Sequence, residues 1–197
     1  DGKLNDWWLY FLDPDVVLMQ PPEANYIANL TSGPAPLNVT FTNNTSGDYN
    51  SVTWNFGDGG FSQEMNPSHT YTTPGIYTVA LTATGLLGSS TITKTNHIQV
   101  YYLVSAAFSA STLTGVAPFT VNFTNLSTGD YNSLLWNFGD GTYSQQTNPT
   151  HTYNTHGVYT VSLTASGPGG TDTKTITITV YQAATANFSV DIRFGSI

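Results

Sequence analysis

The residues of this chain that are best suited to chemistry are aspartates and histidines in repeated surroundings. Asp58 and Asp140 each stand in the sequence Gly-Asp-Gly, while His69 and His151 each lie two residues before a tyrosine. Asp-Gly is a strong signal for a tight turn, so we interpret both aspartates as turn residues, with a metal-binding or catalytic role as the alternative. Zinc requires several convergent ligands and the chain has no cysteine, so we interpret both histidines as structural. The sequence therefore predicts no catalytic residues, no metal site and no cofactor.

Four acidic residues leave calcium binding open as an alternative to the prediction of no cofactor. Asp13 and Asp15 flank a proline, and Asp48 and Asp130 lie in turns where they could supply carboxylate oxygens. The sequence shows no EF-hand pattern. We interpret these carboxylates as solvated turn residues and keep calcium binding as the alternative.

Asparagine side chains offer a different chemistry, the attachment of glycans. The pattern Asn-x-Ser/Thr, with any residue except proline at x, marks acceptor sites for N-linked glycans. It occurs at Asn29, Asn38, Asn43, Asn44, Asn122, Asn125 and Asn187. Asn38, Asn122 and Asn187 are out of phase with inward-facing apolar residues, so they should face solvent. In a source that has the enzymes, these asparagines are candidate glycosylation sites.

Two copies of one short stretch position these side chains. Trp54-Asn55-Phe56-Gly57-Asp58-Gly59 returns later as Trp136-Asn137-Phe138-Gly139-Asp140-Gly141. The Trp and the Phe stand two residues apart, so both point to the same face of a strand, and we interpret that face as the core. Tyr77, and Tyr159 in the second copy, stand at the start of a later strand, where an Ig-like fold places a tyrosine corner. We therefore predict a structural core that includes Trp54, Phe56, Tyr77, Trp136, Phe138 and Tyr159.

Alternation of apolar and polar residues runs through both copies. Leu37, Val39 and Phe41 alternate with polar neighbours, and residues 77–83 and 176–180 show the same period of two. No segment shows a helical period, and each copy contains about seven short strands separated by turns. We predict an all-β fold of two tandem Ig-like β-sandwiches, at 24–104 and 105–184. An extended apolar and acidic N-terminal arm at 1–23 precedes them, and a C-terminal strand at 185–197 begins a third copy.

Charge is sparse in the chain, and its balance is acidic. The 197 residues include 12 Asp and Glu but only 4 Lys and Arg, and charged residues make up 8% of the sequence against roughly 25% in ordinary domains. A net charge of −8 argues against a nucleic-acid partner, which needs a basic footprint. No apolar run reaches the roughly 18 residues of a membrane helix, so we predict no membrane insertion. A polar surface with little charge favours an extracellular or cell-surface location.

Three motifs in constant order give the chain a family resemblance. They are Trp-Asn-Phe-Gly-Asp-Gly, then Asn-Pro-x-His-Thr-Tyr, then Gly-x-Tyr-Thr-Val-x-Leu-Thr-Ala, and each occurs twice. In this combination the two copies resemble the PKD (polycystic kidney disease) domain family. The resemblance implies a non-catalytic β-sandwich of secreted and cell-surface proteins, which serves as a spacer, an adhesion module or an accessory to extracellular hydrolases. Residues 1–23 lie outside the resemblance.

Both ends of the chain carry apolar residues that the two sandwiches do not account for. A lone strand cannot pair its backbone groups or bury an apolar face, so we predict that other copies of the chain hold both ends, at least in part, by strand addition. The alternative is a longer natural chain in which the last strand belongs to a third domain. A head-to-tail contact of this kind builds a filament unless its rotation closes a ring. The predicted assembly contacts are Trp7, Trp8, Tyr10, Phe11, Phe188, Val190, Ile192 and Phe194.

Two hypotheses for function follow. The first is a non-enzymatic extracellular structural protein, a subunit of a surface fibre assembled head to tail through its terminal segments. The alternative is a carbohydrate- or matrix-binding accessory region of a secreted hydrolase or adhesin, for which glycans are a partner. A coplanar pair of exposed aromatic rings would favour the alternative, whereas rings buried in cores and subunit contacts would favour the first hypothesis.

Overall fold

The computed structural model describes residues 18–190, and every regular element among them is a β-strand. The chain divides into two compact units, with the division between Tyr101 and Tyr102. Each unit pairs a three-stranded sheet with a five-stranded sheet around an apolar core. The predicted all-β fold of two tandem Ig-like sandwiches is therefore confirmed. Within the described residues there is no helix long and apolar enough to cross a membrane.

The first sandwich places its strands in two sheets of orders β1-β3-β6 and β2-β8-β7-β4-β5. Neighbouring strands are antiparallel except β2 and β8, which run parallel. The strands are β1 (Tyr26–Ala28), β2 (Ser32–Pro34), β3 (Leu37–Asn43), β4 (Ser51–Asn55), β5 (Phe61–Ser62), β6 (Ser68–Tyr71), β7 (Gly75–Gly85) and β8 (Gly88–Tyr101).

The second sandwich repeats this topology, with sheets of orders β9-β11-β14 and β10-β16-β15-β12-β13. Here β10 is the strand that runs parallel to its neighbour, β16. The strands are β9 (Phe108–Ala110), β10 (Thr114–Val116), β11 (Phe119–Asn125), β12 (Ser133–Asn137), β13 (Tyr143–Ser144), β14 (Thr150–Tyr153), β15 (Gly157–Gly167) and β16 (Gly170–Tyr181).

The alternation in the sequence becomes an alternation of burial. Along β3, Leu37, Val39 and Phe41 are buried while the residues between them are exposed. The core strand β4 contributes Trp54, which is fully buried, and Phe56 follows directly after the strand. Burial of such side chains contributes roughly 1.5–3 kcal/mol each, so the inward faces of the two sheets hold each sandwich together.

The start of each sandwich lies a few residues before the position that the sequence predicts. Val104, which we assigned to the first domain, is buried against Ala106 and Ala165 of the second. In the first sandwich Glu23, assigned to the arm, forms an isolated bridge with Ser46. The entering segments therefore belong to the sandwiches that they precede, because their backbone groups pair there.

The predicted C-terminal strand is not formed over its described part. Residues 182–190 have no regular structure and are exposed. Phe188 and Val190 are 83% and 70% exposed. The other predicted assembly contacts, Ile192 and Phe194 at this end and Trp7, Trp8, Tyr10 and Phe11 at the other, lie outside the described residues.

Candidate functional site

Each sandwich contains one aspartate–histidine pair at the end of its core strand. Asp58 lies in the turn after β4 and His69 lies in β6 of the opposite sheet, yet Asp58 Oδ2 is 2.7 Å from His69 Nε2. Asp140 and His151 repeat the contact at the same distance. Our sequence interpretation gave the aspartates and the histidines separate structural roles and did not predict the aspartate–histidine contact. The one signal for it was their constant relative position in both copies.

Aromatic rings hold the histidine in place. The Phe56 ring stacks on the His69 ring, with centroids 4.1 Å apart and planes 8° from parallel. Tyr71 meets the same imidazole edge-on at 4.7 Å, and its hydroxyl donates to the Phe56 carbonyl oxygen at 3.1 Å. The imidazole therefore has one orientation, in which Nε2 faces the aspartate.

The aspartate is held by the turn as well as by the histidine. Asp58 Oδ1 accepts the Gly60 N–H at 2.9 Å. Burial raises the pKa of Asp58, but the hydrogen bonds from His69 and from the Gly60 amide outweigh burial and hold the pKa below its ordinary value. The pKa of Asp140 is lowered in the same way: burial again raises it, and hydrogen bonds from Thr142 and His151 outweigh that effect. Both carboxylates are therefore ionised at neutral pH.

The contacts of the aspartate–histidine pair are those of a structural link between the two sheets. In a catalytic triad the histidine also bonds a nucleophilic hydroxyl. In the described part of the chain, neither His69 nor His151 bonds a serine or threonine hydroxyl, and no group of three or more metal-ligating side chains occurs. The pair instead ties the turn of one sheet to a strand of the other.

The two tyrosines predicted for the core lie at its edge. Tyr77 and Tyr159 are half-buried and pack against the buried Tyr71 and Tyr153 at 4.6 and 4.4 Å. Their hydroxyls donate to carbonyl oxygens four residues upstream, at 2.6 and 2.8 Å. This is the geometry of a tyrosine corner. The other four residues of the predicted core, Trp54, Phe56, Trp136 and Phe138, are buried.

The remaining histidines take no part in these pairs. His156 is exposed. His97 lies in a stretch of β8 where the pairing register with β7 shifts, and its ring meets Tyr26 edge-on at 5.6 Å. Burial lowers the pKa of His97, and the nearby Lys94 lowers it further. Lys94 Nζ itself donates to the Tyr26 carbonyl oxygen at 2.6 Å.

Two of the four aspartates considered for calcium accept hydrogen bonds from the backbone. Asp48 Oδ2 accepts the Gln20 N–H and Asp130 Oδ2 accepts the Tyr102 N–H, both at 2.7 Å. Each carboxylate thus holds the segment that enters its sandwich, and this explains why the entering residues are part of the fold. Asp13 and Asp15 lie outside the described residues.

The candidate glycosylation sites divide into two groups. Asn29, Asn38, Asn44, Asn122 and Asn187 are exposed. Asn43 and Asn125 are half-buried, and their Nδ2 atoms donate to the hydroxyls of Tyr49 and Tyr131 at 3.3 and 3.0 Å. A glycan is attached through that nitrogen, so we expect Asn43 and Asn125 to be poorer acceptors than the exposed asparagines; glycosylation at all seven positions stays a prediction.

Exposed aromatic rings occur singly in the described residues. Trp54 and Trp136 are fully buried, and none of the ring pairs within residues 18–190 joins two exposed rings. Phe61 and Tyr143, at 66% and 61% exposed, occupy equivalent edge positions of the two sandwiches. A flat aromatic platform for sugars is therefore not formed by this part of the chain.

Comparison with known proteins agrees with the repeat. The PKD domain model matches residues 19–100 and again 104–181. Collagenase ColA of Bacillus cereus is 48% identical over 60 residues, which are 30% of this chain and 6% of that protein. A microbial collagenase of Vibrio alginolyticus is 49% identical over 49 residues, 24% of this chain and again 6% of the relative. The chain thus matches a small fraction of the length of these relatives.

A solved structure of low sequence identity supports the fold. The I-band fragment I67–I69 of titin is 15% identical, covers 84% of this chain and 67% of its own length, and superposes with a TM-score of 0.57. At this identity the likeness concerns the Ig-like architecture. Because the family model covers both sandwiches, the resemblance seen in the sequence is confirmed, and the chain belongs to the PKD domain family, of which it contains two tandem copies.

Proposed function

We propose that this chain is a non-catalytic accessory region of an extracellular protein, of the kind attached to secreted hydrolases, and that it contacts an insoluble matrix. The observation that carries the proposal is the match to two collagenases over 6% of their length, in the part that resembles a PKD domain. The matched region is a small part of each enzyme. A module of this kind is suited to binding or to spacing rather than to catalysis.

The arrangement of the site is consistent with this role. The aspartate and histidine of each sandwich are bonded to one another, and in the described residues no hydroxyl bonds the histidine. Only 8% of the residues are charged. The polar surface therefore consists mainly of amides and hydroxyls, which are suited to contact with neutral polymers.

Co-sedimentation of the purified chain with insoluble polymers tests the proposal. Cellulose, chitin and fibrillar collagen are suitable, each at low and high salt, with bovine serum albumin as the control for trapping. We expect retention on at least one polymer, with little dependence on salt, and no release of soluble products. Absence of retention on all three would remove the matrix-binding role, and release of products would contradict the non-catalytic one.

A second candidate function is that of a filament subunit. Residues 182–190 favour it, because they expose Phe188 and Val190 in an alternating pattern without a sheet to join. Strand addition to another copy would pair their backbone groups. Electron microscopy of the full chain, of a variant lacking residues 186–197 and of a Phe188→Asp variant tests this candidate. Fibres that form equally well in all three would contradict it.

A further inference from the structure

We infer that the second sandwich binds a neutral carbohydrate in a cleft beside the start of β12. The cleft has a volume of about 430 Å³ and is lined by Tyr131, Asn132, Ser133, Leu134, Gln145 and Thr147. The inference rests on the proposed function, for which it names the binding site and the class of ligand.

The chemistry of the lining points to an uncharged ligand rich in hydroxyls. None of the lining residues carries a charge. The side chains of Asn132, Gln145 and Thr147 make no hydrogen bond to the rest of the described chain and are exposed. Amide and hydroxyl groups both donate and accept, as sugar hydroxyls do. Tyr131 and Leu134 supply the apolar surface against which the C–H groups of a sugar ring can pack.

The Asn125–Tyr131 hydrogen bond orders one wall of the cleft. Asn125 Nδ2 donates to the Tyr131 hydroxyl at 3.0 Å and Asn125 Oδ1 accepts the Ser127 N–H at 2.9 Å. The tyrosine ring is therefore held, and its hydroxyl proton remains available to a ligand. Because the ring is already ordered, contact between Tyr131 and a ligand costs less conformational entropy than contact with a mobile side chain would.

The first sandwich contains the same frame with other residues at some positions. Tyr49, Asn50, Ser51 and Gln63 stand at the positions of Tyr131, Asn132, Ser133 and Gln145. Met65 replaces Thr147, and its Sδ lies 3.0 Å from Asn43 Nδ2, the atom that donates to the Tyr49 hydroxyl. Glu64 replaces Gln146 and introduces a charge. The second copy therefore has a hydroxyl where the first has a thioether, and an amide where the first has a carboxylate.

Titration of the isotope-labelled full chain by NMR tests the inference. The probes are cellohexaose, maltohexaose, mannohexaose and hexa-N-acetylchitohexaose, with a soluble collagen-like peptide of Gly-Pro-Pro repeats as the peptide probe. We expect one sugar to shift the amide signals of residues 131–134 and 145–147, with a dissociation constant of about 1 mM or lower.

The repeat supplies matched variants. Thr147→Met installs the residue that the first sandwich already accepts at this position, so the fold should be retained while binding weakens about tenfold or more, equivalent to about 1.4 kcal/mol. Gln145→Ala should also weaken binding, whereas Gln63→Ala, at the equivalent position of the first sandwich, should leave it unchanged.

The outcomes separate this inference from the proposed function. Sugar-induced shifts that Thr147→Met abolishes support both. Retention on an insoluble polymer without shifts in the cleft would overturn the inference and leave the proposed function standing. Shifts caused by the peptide and by none of the sugars would overturn the assignment of the ligand class. Loss of both retention and shifts would remove the proposed function together with the cleft.

Discussion

Replacing Asp58 by alanine tests whether this aspartate is more than a turn residue. The substitution removes the acceptor of the Gly60 N–H at 2.9 Å and the contact with His69 at 2.7 Å. Hydrogen bonds to charged groups contribute about 1.5–3 kcal/mol. The two side chains are 20% and 22% exposed, so water replaces part of what is lost. We therefore expect the free energy of unfolding of the first sandwich to fall by about 2 kcal/mol.

Acidification should reduce the difference between Asp58→Ala and the wild type. The pKa of Asp58 is lower in the folded state than its ordinary value of about 3.9, so the ionised carboxylate stabilises the folded sandwich above that value. This stabilisation decreases as the pH falls through the folded-state pKa and is absent below it. The alanine variant has no carboxylate to titrate, so the two stabilities should converge at low pH.

The two buried tryptophans allow each sandwich to be followed separately. Trp54 Nε1–H donates to the Glu64 carbonyl oxygen and Trp136 Nε1–H to the Gln146 carbonyl oxygen, both at 2.9 Å. Their indole signals in NMR spectra recorded along a urea titration give two midpoints from one sample. Asp58→Ala should lower the Trp54 midpoint and leave that of Trp136 unchanged, and Asp140→Ala should do the reverse.

Two results would refute the reasoning about Asp58. An unchanged Trp54 midpoint at neutral pH would show that the aspartate–histidine pair contributes nothing to stability. A loss as large as the roughly 3–5 kcal/mol expected for truncating a core tryptophan would show that Asp58 does more than hold a turn and a histidine. A bound ligand at that position would then be the simplest explanation.

Three further predictions concern the frame around the pair. Trp54→Ala should destabilise the first sandwich by about 3–5 kcal/mol while the midpoint of the Trp136 indole stays unchanged. Tyr77→Phe removes one hydrogen bond and should lower the stability of the same sandwich by about 1 kcal/mol in urea denaturation. Gly57→Ala should cost about 2–5 kcal/mol, because its φ of +86° is unfavourable for alanine and the new Cβ would overlap a carbonyl oxygen of β7. Gly59→Ala has a similar φ but open space, so a cost above about 2 kcal/mol in thermal unfolding would contradict this distinction.

The sequence by itself determined the class of fold, the number of sandwiches and the family. These properties depend on local patterns: the period of two along strands such as β3, the Gly-Asp-Gly turns, and motifs that return in the same order. Burial of Trp54 and Trp136 was readable for the same reason, since two apolar residues spaced two apart must share a face. Local patterns of this kind can be interpreted without knowing which residues pack against them in the fold.

Only the tertiary structure decided which side chains meet. Asp58 and His69 belong to different sheets, and their contact at 2.7 Å exists because the sandwich closes over Phe56. Asn43 matches a glycosylation pattern, but its side chain is committed to Tyr49 by the fold of the turn. Met65 stands at the position of Thr147, which lines the cleft of the second sandwich, and only the fold brings its Sδ to 3.0 Å from Asn43 Nδ2. Each of these outcomes depends on the distance between groups that are far apart along the chain. The sequence pattern predicts which face of a strand a residue lies on, but it does not predict which residue of the opposite sheet it contacts.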